Sequence, residues 1–296
     1  TSLLDTRPLK EFLSQKIPWK QIDSNIQSGF LEALSITATN TRTGNSELFI
    51  QKKQDLRYTG DYRYYDVQMS AEHVMASAAI PIVFPTVKVG KFYYTDGGIR
   101  LYTPMSPAIQ LGADRILIVG LRHAPSEDEV KKVEAKEMRR PPLLTEVLGR
   151  VMNGLFLDRV RYDLEQLDRI NKLIEWSEEV YGKEYLKKLN ETIFKLNESK
   201  DIAARGLKKI QAVQILPTEF ISDIFQRWFN RKNKKDFKFA PMEKLLTRLL
   251  EVDAEGSVEL LSYLIFAQEY IEELIDLGYE DAKKNKDKII EVMEGK

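Results

Sequence analysis

The stretch that decides the fold is "FYYTDGGIRLYTPMSPAIQLGADRILIVG", which spans residues 92–120. It opens with an aromatic, β-type run, turns at Asp96-Gly97-Gly98, continues through helix-forming residues, and ends in the apolar run 116–119. This order of strand, turn, helix and strand is typical of an α/β fold. Asp-Gly is also a common turn for purely conformational reasons. The alternative is that Asp96 holds a carboxylate at the carboxyl end of a strand, where open α/β sheets bind ligands.

Composition narrows the function classes. The 296 residues are 43% hydrophobic and 30% charged, as in a folded globular protein. Because 45 basic residues balance 45 acidic ones, a nucleic-acid partner is not expected. The absence of cysteine excludes disulfides and thiolate catalysis, and two histidines disfavour a metal site, so we predict no cofactor. No apolar run approaches the ~18 residues of a membrane span, which favours a cytoplasmic protein.

Local patterns in the first 125 residues alternate between helix and strand. They predict helices over residues 5–17, 70–80 and 105–113, and strands over residues 31–40, 46–52, 91–96 and 114–121. The turn at residues 41–44 predicts a hairpin between the first two strands. Pro81 and Pro85 favour an irregular or edge segment. The apolar run 116–119 is of the kind that predicts a strand buried on both faces.

The character of the sequence changes near residue 141. The charged stretch 126–142 ends in two prolines and predicts a linker. Residues beyond it have helical spacing, and a strand is predicted only at residues 212–216. We therefore divide the chain into an α/β part at residues 1–125, the linker, and a mainly helical region at residues 143–296.

A nucleophile is harder to find. The G-x-S-x-G elbow of α/β hydrolases does not occur, since the glycine–serine stretches at residues 44–46 and 256–257 do not complete it. His73 and His123 are interpreted as local hydrogen-bonding or surface residues. A Ser-His-Asp triad that uses Asp96 is the alternative, although it would lack a recognisable serine elbow.

An apolar stripe over residues 220–229, with Trp228 near its end, has two interpretations. One is a helix packed in the core. The other is an interfacial helix that lies on lipid and makes the protein peripheral at the membrane surface. The membrane hypothesis involves one aromatic and four basic residues: Trp228, Arg231, Lys232, Lys234 and Lys235.

Taken together, these motifs resemble the patatin-like phospholipase family. The block "ASAAIPIVFPTVKVGKFYYTDGG" (residues 76–98) carries the most specific resemblance, with its small-residue helix, Ile-Pro and Asp-Gly-Gly. "LLDTRPLKEFL" (residues 3–13), "GFLEALSITATNTRTGNSELF" (residues 29–49) and "TPMSPAIQLGADRILIV" (residues 103–119) are similar to flanking segments of the family. "SYLIFAQEYIEELIDLGYEDA" (residues 262–282) resembles the helical tail of bacterial members.

The resemblance implies an acyl hydrolase of lipid esters on a three-layer α/β/α sandwich. It assigns Asp96 as the catalytic base, which activates a serine directly without a histidine. Gly97 and Gly98 would let the backbone turn without a side chain that blocks the serine. The family's nucleophile and glycine-rich oxyanion loop lie upstream of the matching segment and are not in this chain. Tyr102 also stands where family members often have Asn.

We therefore expect the C-terminal part of a bacterial patatin-like lipid acyl hydrolase, inactive without the missing N-terminal half. One alternative is a regulatory fragment that pairs with a separate chain carrying the nucleophile. Another is a non-catalytic helical interaction module attached to a relic sheet. The sequence upstream of Thr1 would separate the first two hypotheses.

Overall fold

The structure, a computed structural model, describes residues 4–81, 83–100, 105–121, 123, 125–135, 144–196, 206–231, 258, 261–262, 265 and 267–295. Only the backbone is described at residues 132–134, 144–162 and 196. The chain folds as two compact units. Unit 1 comprises Thr1–Ile116 and Asp158–Gln211, and unit 2 comprises Leu117–Leu157 and Ala212–Lys296.

The chain alternates helices and strands up to residue 119 and is mainly helical afterwards. The strands are β1 (Ala33–Asn40), β2 (Ser46–Lys52), β3 (Arg63–Asp66), β4 (Val87–Val89), β5 (Phe92–Asp96), β6 (Arg115–Val119) and β7 (Gln211–Ile215). The helices are α1 (Arg7–Lys16), α2 (Trp19–Gln27), α3 (Ala71–Ser77), α4 (Met105–Gln110), α5 (Glu127–Glu134), α6 (Leu144–Tyr181), α7 (Tyr185–Leu196), α8 (Ile221–Arg231), α9 (Gln268–Lys284) and α10 (Lys286–Glu294). This confirms the predicted α/β class with a helical C-terminal region.

Unit 1 is organised by a five-stranded mixed sheet in the order β3-β2-β1-β5-β4. The predicted hairpin is confirmed, since β1 and β2 pair antiparallel over seven residue pairs from Ala33–Lys52 to Thr39–Ser46. β5 joins the other side of β1 through only three pairs, at Ala38–Asp96, Thr39–Thr95 and Asn40–Tyr94. β4 forms one edge of the sheet, as the prolines before it predict.

Strand alternation gives the sheet two apolar faces. One face packs Ala38, Phe49 and Tyr94 against helices α2 and α3, with Met69 and Ala76. The opposite face buries Leu48 and Ile50 around Tyr58. Because a residue and the next but one share a face, Tyr94 and Asp96 both belong to the helix-covered side. A slip of one residue would turn the buried side chains of a strand to the wrong face, so this burial fixes the register.

The second stretch of unit 1 is held by two asparagines. The Asn171 side chain on α6 accepts from the Ile210 N–H at 3.0 Å and donates to its carbonyl at 2.7 Å. Asn190 on α7 does the same for Leu207, at 2.7 and 2.9 Å. Each amide bonds to a backbone N–H and a backbone carbonyl, as a neighbouring strand would. The segment just before β7 is therefore held by side chains rather than by strand pairing.

The predicted double burial of residues 114–121 is wrong. β6 pairs with β7 in a two-stranded sheet, most of which lies in unit 2. Ile116 and Ile118 are buried, whereas Leu117 and Val119 are 43% and 67% exposed. An apolar run therefore marked a strand that is buried on one face, with its second face open to solvent.

Unit 2 also contains the apolar stripe of residues 220–229, now helix α8. Phe225 and Trp228 are buried, and the Tyr270 ring on α9 lies 5.3 Å and 5.7 Å from their ring centroids. This burial favours the core interpretation of Trp228, because a ring enclosed by its own domain has no face left for lipid. Arg231 is paired with Glu273 at 2.8 Å. Lys232, Lys234 and Lys235 lie outside the described residues, so their contact with a membrane stays a prediction.

The boundaries of the predicted linker at residues 126–142 stay a prediction, although part of that stretch forms α5. Helix α2 and strand β3 were not predicted. Within the described part of the chain, no helix is both long and apolar enough to span a membrane.

Candidate active site

The backbone of Asp96 is fixed by two neighbouring elements. Its N–H donates to the carbonyl of Ala79, just after α3, at 2.9 Å. Its carbonyl accepts from the Thr39 hydroxyl on β1 at 2.8 Å. The adjacent Thr95 hydroxyl also donates to Ala79, at 2.6 Å. Asp96 therefore cannot move relative to β1 or to the residues after α3 without breaking these hydrogen bonds.

The Asp96 carboxylate caps the turn that follows it. Its Oδ1 accepts a 2.7 Å hydrogen bond from the N–H of Gly98, at the start of a short 3-10 turn over Gly97–Ile99. Among the described residues, none donates to Oδ2. The bond to Oδ1 thus orients the carboxylate.

Burial raises the pKa of the Asp96 carboxyl above its ordinary value, and the Gly98 N–H opposes this to a smaller degree. A partly desolvated carboxylate holds a proton more readily than an exposed one. The group is therefore a stronger base than a surface aspartate, which is what proton abstraction near neutral pH requires.

Gly97 is required by close packing rather than by an unusual backbone angle. A Cβ at this position would overlap the carbonyl oxygen of Thr37 on β1. Its φ is not among the positive values found at other glycines, such as Gly44 and Gly90. The Asp-Gly-Gly motif therefore allows β1 to pass directly behind the turn that carries the carboxylate.

A buried polar cluster lies on the same side of the sheet, one strand further from Asp96. Glu47 on β2 is 2% exposed, and its carboxylate accepts from the Tyr94 hydroxyl at 2.7 Å and from the Asn40 amide at 3.2 Å. Ala38 pairs with Glu47 on one side and with Asp96 on the other. The cluster was not predicted, although an acid inside the apolar strand "SELFIQK" was a usable signal.

The two histidines are local, as predicted. His73 Nδ1 accepts from the Ser70 N–H at 3.1 Å and so helps to cap α3. His123 lies in unit 2, with Nδ1 at 3.1 Å from the Pro217 carbonyl and Nε2 at 3.1 Å from Glu129. Neither bonds to Asp96 in the described structure, so these contacts give no support to a Ser-His-Asp triad.

Residues 1–109 match the family model described as patatin-like phospholipase. This segment of the chain is patatin-like. Comparisons with curated proteins and with solved structures returned no match. The patatin-like segment contains β1 to β5 and the whole environment of Asp96 described above. The match concerns this segment and does not extend to residues 110–296.

Asp96, Gly97 and Gly98, which were predicted from the sequence as site residues, are consecutive and form the turn after β5. The residues that hold them were not predicted; they are Thr37, Thr39 and Ala79. Alternation along β1 could have placed both threonines on one face, but only the pairing with β5 shows which backbone they approach. Tyr102, where the patatin-like pattern often has Asn, lies outside the described residues.

Proposed function

We propose that Asp96 is the general base of a Ser–Asp dyad in a patatin-like lipid acyl hydrolase, and that the serine comes from a segment outside this chain. The observation that carries the proposal is the Asp96 carboxylate itself. Its backbone is fixed by Thr39 and Ala79, one oxygen is oriented by Gly98, and burial raises its pKa. Its second oxygen is the acceptor for the serine hydroxyl.

The dyad works by moving one proton in each direction. Asp96 Oδ2 removes the serine proton while the serine oxygen attacks the ester carbonyl of the lipid. Collapse of the tetrahedral intermediate breaks the ester bond, and Asp96 returns the proton to the departing alcohol. Asp96 then deprotonates a water molecule that attacks the acyl-enzyme, which releases the carboxylic acid and restores the serine.

The test uses the full gene product, assayed with a short p-nitrophenyl ester and with a phospholipid. Asp96→Asn should lower kcat by about 10²–10⁴ with an unchanged fold, because an amide keeps the shape but cannot accept the proton. Asp66→Asn is the matched control. Asp66 also ends a strand of the same sheet, but its side chain is 59% exposed and pairs with Lys52 at the surface. Near-normal turnover in Asp96→Asn would remove Asp96 from the mechanism.

A second arm concerns the present chain alone. Without a serine elbow we expect no enzymatic ester hydrolysis. Robust turnover that a serine-directed fluorophosphonate abolishes would reveal a nucleophile within residues 1–296. It would refute the proposal that the serine comes from a segment outside this chain. Activity that appears only when a separate serine-bearing chain is added would support a two-chain enzyme.

A further inference from the structure

We propose that a groove on the helix-covered side of the five-stranded sheet binds a single-chain anionic amphiphile, an alkyl chain that ends in a carboxylate or a phosphate monoester. The groove has a volume of about 810 Å³ and lies between β3, the β4–β5 turn and the start of α3. We call it the aromatic groove. Asp96 is not among its lining residues, although Tyr94, on the same face of β5, is. The argument for this site does not use the proposed dyad.

The floor of the aromatic groove is apolar. Phe49 and Tyr94 form its buried part, and the half-buried Tyr65, Val67 and Phe92 extend it beyond the helices that cover the sheet. The Phe49 ring lies 5.9 Å from Tyr65 and 5.1 Å from Tyr94. The volume falls within the range of about 300–1,000 Å³ that small-molecule sites occupy. It is far larger than an inorganic anion needs and suits an alkyl chain.

The rim of the aromatic groove is positively charged. The Arg63 guanidinium lies 5.4 Å above the Tyr65 ring and 5.9 Å from the Phe92 ring. A cation–π contact does not use up the N–H donors of the guanidinium, which can still bind a carboxylate or phosphate. Lys91, in the β4–β5 turn, also lines the groove. The Lys88 ammonium instead lies over the Tyr93 ring, on the opposite face of the sheet. In the described part of the chain, neither Arg63 nor Lys91 forms an ion pair.

Little negative charge competes for this rim. Among the described residues that line the groove, Glu72 is the only acid, and its carboxylate is paired with Lys10 at 2.9 Å. Burial lowers the pKa of His73, at the base of the groove, so it stays neutral at pH 7. An apolar floor under a cationic rim selects an anionic head with an apolar tail, and it disfavours both simple anions and cationic amphiphiles.

The experiment is calorimetric titration of the full chain at pH 7.5 and low salt, with each ligand below its micelle concentration. Laurate and dodecyl phosphate should bind at least about tenfold more tightly than dodecyltrimethylammonium, which has the same chain and the opposite charge. Octanoate should bind at least about tenfold more weakly than laurate, because it lacks four methylenes and each fully buried methylene strengthens binding by up to about fourfold. The ratio of laurate to dodecyl phosphate identifies the source of the ligand, a free fatty acid or a phosphorylated lipid.

The variant that tests the rim is Arg63→Gln. We expect it to weaken laurate binding at least tenfold, with the far-UV spectrum unchanged because the side chain is exposed. Arg169→Gln, an exposed arginine of the same unit on α6, is the matched control and should bind as the parent does. The proposal is overturned if laurate does not bind, if the trimethylammonium ligand binds as tightly, or if Arg63→Gln matches its control within twofold.

Discussion

The Tyr94 hydroxyl donates a 2.7 Å hydrogen bond to the Glu47 carboxylate across the buried side of the sheet. The two residues are 47 positions apart, on strands that are not neighbours, and Ala38 on β1 lies between them. Burial, with the added effect of Glu47, raises the pKa of the Tyr94 phenol, so the phenol remains protonated as a donor. A single bond therefore ties the strand of Asp96 to the far side of the β1–β2 hairpin.

Removal of this donor should be costly. Tyr94→Phe removes the hydroxyl that donates to Glu47, and Glu47 is only 2% exposed. One oxygen of its carboxylate would therefore lose this partner. We expect a loss of about 1–3 kcal/mol in the free energy of unfolding, measured by urea denaturation. Tyr93→Phe is the control, since Tyr93 is 52% exposed, and should change stability by no more than about 0.5 kcal/mol. Equal effects of the two variants would show that the buried bond adds nothing.

Position 97 should not tolerate a side chain. A Cβ there meets the backbone carbonyl of Thr37, which cannot rotate away. Gly97→Ala should therefore cost about 1–3 kcal/mol of unfolding free energy and displace the Asp96 carboxylate. Gly278→Ala in helix α9 has open space around it and should instead gain about 0.5–1 kcal/mol. A neutral Gly97→Ala variant would mean that β1 can move aside freely.

The raised pKa of Asp96 implies a penalty on stability that depends on pH. Between the ordinary carboxyl pKa of about 4 and the raised value, the folded state binds more protons than the unfolded state, so stability falls as pH increases. Asp96→Asn, which can still accept from Gly98, should be more stable than the parent at pH 7. The difference should vanish below about pH 4, where the parent is protonated in both states. Thermal melts of both proteins from pH 3 to pH 8 measure this, and a variant less stable at pH 7 would contradict it.

The burial of Trp228 predicts its fluorescence. In a variant with Trp19→Phe and Trp176→Phe, Trp228 alone reports, and its 4% exposure predicts a blue emission maximum in buffer. Anionic vesicles should leave the spectrum unchanged at any salt concentration. A shift to the blue on addition of vesicles, weakened by salt, would instead support the interfacial hypothesis for residues 220–229.

Most helices and strands of the first 100 residues could be predicted from the sequence, because caps and turns are local signals. Ser70 begins α3 as a cap, and the turn after Asn40 joins two strands that lie side by side. β6 was misjudged for the opposite reason. Its apolar run indicates that the strand packs against other elements, but it does not show how many faces are covered. That number depends on the elements that pack on each face, and the exposure of Leu117 and Val119 shows that one face is open.

The site divides in the same way. Asp96 was selected as a candidate from its motif, since an acid after an aromatic strand and before two glycines is a local pattern. The reason for Gly97 could not be found, because it lies in the approach of Thr37 from another strand. The desolvation that raises the pKa of Asp96 is likewise a property of packing, and no spacing in the sequence encodes it.

The seam between β5 and β1 is only three residue pairs long, compared with seven between β1 and β2. Local opening costs least where the fewest bonds and buried contacts must break. If β4 and β5 leave β1 together as one hairpin, the bonds of Tyr94 to Glu47 and of Asp96 to Thr39 and Ala79 break with these three pairs. Mild heating would therefore displace Asp96 while β1 and β2 are still paired. If the proposed dyad is correct, we expect mild heating to abolish the ester hydrolysis that depends on Asp96, reversibly and below the temperature of global unfolding.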